Sequence, residues 1–127
     1  MTIAGSSTRI LTDILVGEVW LTSGQSNMEW TFNQITAEER AYAKSHEKNS
    51  QIRVFHVSEH TTGGYPLQDN VGTWKSCHEI HNAPHHSSTS AVGFFFGLKL
   101  YQELQVPIGL LDINWGCLLY TSDAADD

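Results

Sequence analysis

The pentapeptide Gly24-Gln25-Ser26-Asn27-Met28 is the stretch of this chain best equipped for chemistry. It follows an apolar run over residues 14–21, rich in β-branched and aromatic side chains, which reads as a buried strand. Thr22-Ser23-Gly24 break that run, and a glycine there lets the backbone turn sharply. Residues that leave such a strand lie at the carboxyl edge of a sheet, where open α/β folds place their ligands. Ser26 is therefore expected at a strand-to-helix turn, and two roles stand open for it. It is either the N-cap of the following helix, or a nucleophile beside backbone N–H groups aimed at a developing anion. Gln25 and Asn27 would shape the turn through side chain-to-backbone hydrogen bonds, with Asn27 also in reach of a substrate. The pattern is not Gly-x-Ser-x-Gly, because Met28 stands where the second glycine would be.

A second group lies at 114–116, Asn-Trp-Gly, directly after another apolar run. Gly116 is either an ordinary turn glycine or a bare backbone N–H brought close to a substrate. An oxyanion donor of that kind contributes about 3–4 kcal/mol to lowering a barrier. Trp115 beside it is a candidate for stacking on a sugar ring, as is Trp30, whereas Trp20 lies inside a strand and reads as core. His78, His81, His85 and His86 fall within nine residues. Such a tract is able to bind Zn²⁺, but no Cys or carboxylate spacing completes a site, and a solvated loop is the plainer reading. His56 and His60 read as structural or surface residues. No metal and no cofactor is expected.

The elements that must position these groups follow from periodicity. Residues 1–13 suggest one or two short strands with a turn at Gly5-Ser6-Ser7. Residues 31–34 read as a polar loop. Thr36 and Glu39 have capping-box spacing, which starts a helix running to about Lys48. Residues 52–57 alternate as a second core strand, 58–72 read as a loop, and 73–75 suggest a short edge strand. Residues 76–90 read as a second loop. Ser90 caps a helix to Gln105 with Val92, Phe95, Phe96, Lys99 and Leu100 at helical spacing. Gly93 and Gly97 share a face of it, which predicts close approach to the sheet. Residues 106–113 form a third core strand, opened by Pro107. Strands alternating with helices predict right-handed crossovers and a parallel sheet.

Composition narrows the classes. The 127 residues carry 14 acidic and 7 basic side chains, for a net charge of −7, and apolar residues make up 40 %. Charged residues reach only 17 %, which argues against disorder. No Lys/Arg cluster exists, so neither nucleic acid nor an anionic membrane is an expected partner. The two cysteines form no framework and leave the redox compartment open. No run approaches the ~20 apolar residues of a membrane span, and the N-terminus lacks the basic start and apolar core of a signal peptide.

Gly24-Gln25-Ser26-Asn27-Met28 with its lead-in Val16-Gly17-Glu18-Val19-Trp20-Leu21 resembles the sialate O-acetylesterase family, within the SGNH or GDSL-like hydrolases. Residues 105–116 are similar to that family's second block, and the match covers about residues 10–116. The resemblance implies an α/β fold, here part of a three-layer α/β/α, flavodoxin-like parallel sheet. It implies that residues 1–13 end a preceding β-rich segment, that 14–116 form the first part of the hydrolase domain, and that 117–127 are a non-native tail. It implies a serine esterase acting on O-acetylated sugar or polysaccharide, with Ser26 as nucleophile and Gly116 as oxyanion donor. O-acetylated sialic acid comes first as substrate and acetylated xylan second. The family is often secreted, periplasmic or lysosomal. The family's Gln-Gly-Glu-x-Asn and Asp-x-x-His blocks are not in this sequence, and none of its seven histidines has an Asp three residues before it. Residues 1–127 alone are therefore expected to be nearly inactive. The rival readings are a non-catalytic carbohydrate-binding or scaffold domain and, less strongly, a metal-binding protein built on residues 78–86.

Overall fold

Buried positions alternate at Ile52 and Val54 and at Ile108, Leu110 and Asp112, and this period of two suits a strand with one face against a core. The computed structural model describes residues 1–57, 72–82 and 89–114. Its central element is a four-stranded sheet. The strands are Glu18–Gly24 (β3), Ile52–Val57 (β4), Gly72–Ser76 (β5) and Ile108–Asn114 (β6), in the order β3-β6-β4-β5. β3 and β4 both pair parallel to β6, while β5 pairs antiparallel to β4. A separate antiparallel hairpin joins Thr2–Ala4 (β1) to Thr8–Ile10 (β2), with Gly5 N–H bonded to the Ser7 carbonyl at the turn. The mainly parallel α/β sheet, the short opening strands and the edge strand near Trp74 agree with expectation.

Three helices supply the core on one face of the sheet. Ala37–Ser45 (α1) begins with the expected capping box, with Thr36 and Glu39 bonded reciprocally. Ala91–Leu104 (α3) is capped by the Ser90 hydroxyl, which accepts from Gly93 N–H, and ends at Gln105 in the left-handed conformation. Ala43, Ile80, Phe94 and Leu98 pack with Ile52, Val54, Ile108 and Leu110 in one buried cluster. Each such side chain contributes about 1.5–3 kcal/mol on burial. Gly97 makes the predicted close approach: a Cβ there would lie 2.8 Å from Leu110 Cδ1, and one at Gly93 would lie 3.1 Å from Thr22 Cγ2.

Several expectations need correction. Residues 76–90 are not all loop, because Cys77–Asn82 form a helix (α2). Its start is fixed by Ser76 and Glu79, which exchange hydrogen bonds as a second capping box. The buried face of α3 is Ala91, Gly93, Phe94, Gly97 and Leu98, while Val92 and Phe96 are exposed. The first core strand starts at Glu18 rather than Ile14 and is not buried: Val19 and Leu21 are 62 % and 61 % exposed. Its position at the end of the strand order explains this, since among the described residues only β6 flanks it. Trp20 is likewise exposed on one side and meets the Phe96 ring edge-on at 5.3 Å. The loop expected over 58–72 lies outside the described residues, apart from Gly72, which opens β5.

Candidate active site

Gly24 ends β3 with φ at +150°, a region glycine alone enters easily, and a Cβ there would lie 2.6 Å from Met28 Cγ. The chain then makes a single turn. Met28 N–H donates to the Gln25 carbonyl at 2.8 Å and Glu29 N–H to the Ser26 carbonyl at 3.2 Å. No α-helix follows at once: α1 begins only at Ala37. The expected strand-to-helix turn is thus a strand followed by one isolated turn, which removes the N-cap role for Ser26. Ser26 is exposed, and Gln25, Ser26, Asn27 and Met28 line an open pocket of about 310 Å³. Among the described residues, nothing hydrogen-bonds the Ser26 hydroxyl.

A helix N-terminus does approach this edge, but it is that of α3, and three of its N–H groups are committed. Ser90 N–H donates to Asp112 Oδ2, Ala91 N–H to the Trp30 carbonyl, and Gly93 N–H to Ser90 Oγ. The anion facing this positive end is therefore the carboxylate of Asp112. Asp112 also accepts from the side-chain amide of Asn114 and shares the Thr22 hydroxyl, at 3.2 Å, with the Leu111 carbonyl at the same distance. His56 turns Nδ1 toward Asp112 Oδ2 at 3.9 Å, too long for a hydrogen bond, and that nitrogen has no partner. In register, Thr22, Asp112 and His56 form one row across β3, β6 and β4, and Gly24 stands beside Asn114. Sequence reading did not single out this polar row. One signal was available for it, an aspartate inside the otherwise apolar strand 106–113.

Trp115 and Gly116 lie outside the described residues. The last described residue before them, Asn114, pairs with Gly24 at the end of β3. Trp30 is exposed and held by its carbonyl to the start of α3. Of the histidine tract, His78 and His81 sit on α2, and His85 and His86 are outside the described residues. His81 is part of the core, tilted against Phe32 at 4.5 Å and edge-on to Phe94 at 5.1 Å. Among the described residues no three His, Cys, Asp or Glu side chains gather around a common point. His60, expected near the end of β4, also lies outside the described residues, whereas His56 is half-buried within that strand, as a structural role requires. A larger cavity of about 550 Å³ opens at the opposite, amino end of the strands, among Leu11, Ile14, Trp74 and Pro107.

No family model matches the chain. Individual proteins do. It is 39 % identical over 108 residues to a sialate O-acetylesterase of Pongo abelii, 40 % over 109 residues to that of Rattus norvegicus, and 38 % over 108 residues to that of Homo sapiens. Each match takes in 82 % of this chain and 20 % of the relative, so the chain spans about a fifth of the length of these curated proteins. Among solved structures, a carbohydrate acetylesterase from Xanthomonas citri superposes with a TM-score of 0.67 at 36 % identity, over 82 % of this chain and 23 % of that one. Over the matched residues, which carry the Ser26 turn, this chain is similar to sialate O-acetylesterases and to a carbohydrate acetylesterase.

Proposed function

We propose that this chain is the nucleophile-bearing part of a carbohydrate O-acetylesterase. The observation that carries the reading is the placement of Ser26. It is an exposed serine on a tight turn at the carboxyl edge of a parallel sheet, over an open pocket, in a chain similar to sialate O-acetylesterases. In this reading Ser26 Oγ attacks the acetyl carbonyl as a base removes its proton. The tetrahedral oxyanion is met by the N–H groups of Ser26 and Gly116. The oxyanion collapses, the sugar oxygen leaves with the proton, and acetyl-Ser26 remains; water then releases acetate by the same route in reverse. Gln25, Asn27 and Trp115 contact the sugar, and the reaction calls for no cofactor. O-acetylated sialic acid is the first substrate and acetylated xylan the second.

The base is the one part these residues do not supply by spacing. His56 does not stand in for it. It lies two strands from β3, about 9.6 Å away in the plane of the sheet, and turns toward Asp112. We assign the base to a segment outside residues 1–127. Acetate release measures both assignments. Residues 1–127 alone should release acetate at no more than a residual rate. The full gene product should turn over O-acetylated sialic acid and lose that activity in Ser26→Ala. Equal turnover by Ser26→Ala would remove the nucleophile, and brisk turnover by residues 1–127 would place the base within them.

A further inference from the structure

The buried polar cluster beneath the serine turn is a part of the molecule that the reaction scheme leaves unused. Asp112 is 2 % exposed, and carboxylates are rarely that buried unless paired or hydrogen-bonded. Its donors come from three directions: the Thr22 hydroxyl on β3, the Asn114 amide on its own strand, and the Ser90 N–H at the start of α3. Thr22 is four residues before Ser26, and Asn114 is two before Gly116. α3 in turn holds Trp30, on the far side of the serine turn, through Ala91 N–H. One carboxylate therefore ties the strand that leads to Ser26 to the neighbouring strand β6, and both to the start of α3. Apolar side chains of similar volume would hold two strands and a helix together as well. What the carboxylate adds is direction, because each donor is held at a fixed distance and angle.

We propose that Asp112 is a positioning residue for the acyl transfer, setting the spacing of β3, the strand that leads to Ser26, against β6 and the start of α3. The proposal rests on the esterase reading above. Acyl transfer depends steeply on such spacing, and a misplacement of about 1 Å costs on the order of a hundredfold in rate. Asp112→Asn keeps the shape but removes the charge and one acceptor oxygen, so that the Thr22 hydroxyl and the Asn114 amide must reorient around its NH₂. Thr22→Val keeps both branches of the side chain and removes a single donor.

Timed inactivation of the full gene product by a fluorophosphonate reads the effect. It separates reversible affinity (KI) from the chemical step (kinact), and the end-point adduct on Ser26 counts the folded fraction. In Asp112→Asn, kinact should fall by about tenfold or more while KI stays within about twofold. Thr22→Val should move kinact in the same direction by less, and it decides the matter if Asp112→Asn does not fold. An unchanged kinact in the folded variants, or a loss confined to the end-point adduct, would reduce Asp112 to a structural role and overturn the proposal. If the unsubstituted protein forms no Ser26 adduct, the esterase reading itself fails, and that result is distinct from either variant's behaviour.

Discussion

His81 carries a stability cost that varies with pH. It lies half-buried between Phe32 and Phe94, and its Nε2 is buried without a partner. Burial pushes its pKa below the ordinary 6.5, against a smaller opposing pull from Glu47. A group whose folded pKa is depressed by disfavouring the cation takes up protons more readily when the chain unfolds. Stability is then full above the unfolded pKa and declines as pH falls below it. We expect the urea midpoint to drop between about pH 7.5 and about pH 5.5, and His81→Phe to flatten that drop while keeping the aromatic packing. An equal drop in His81→Phe would assign the effect to other groups. The sulfur of Cys77 is inert by the same logic: burial pushes the thiol up to about 12, so it stays protonated.

At the scale of elements, α3 is the part that must fit most closely. Its Gly97 lets the helix settle onto Leu110, and Gly93 lets it settle beside Thr22. Gly97→Ala gains about 1 kcal/mol in helix propensity. It also forces a methyl to within 2.8 Å of a fully buried leucine, and such overpacking costs about 1–3 kcal/mol. A net loss of stability is expected in urea unfolding; a stabilised variant would show that the helix has room to move out. The start of α3 was legible from Ser90, and that of α1 from Thr36 and Glu39, because capping acts within three residues. The start of α2 was equally available in Ser76 and Glu79 and was masked by the density of His, Ser and Asn around it. The exposure of β3 was not available. An apolar run of that length fits an edge strand as well as a central one, and only the strand order decides. Asp112 stood out inside an apolar strand, but the assembly of the Thr22–Asp112–His56 row was out of reach for a similar reason. Its members are far apart in sequence, 90 residues from Thr22 to Asp112, and meet only through parallel pairing.

At the scale of the whole molecule, β3 sets the behaviour in solution. It is flanked by β6 on one side, and Val19 and Leu21 are exposed on the face turned away from α3. An open strand edge with apolar side chains is a template for pairing with another chain. Residues 1–127 expressed alone should self-associate with rising concentration in sedimentation, and Leu21→Lys should shift the population toward monomer. A monomeric unsubstituted chain with a sharp, cooperative thermal transition would contradict this. The same strand leads directly into the turn that carries the candidate nucleophile, so the open edge and the proposed chemistry are neighbours in the chain. Among the described residues no helix is long and apolar enough to cross a membrane.

The central claim is that Ser26 is the acyl-accepting group, and peptide mapping after fluorophosphonate treatment of the full gene product tests it most directly. A single adduct on Ser26 is expected, absent in Ser26→Ala and suppressed by an O-acetylated sugar. An adduct on another serine, or one spread over several of them, would contradict it.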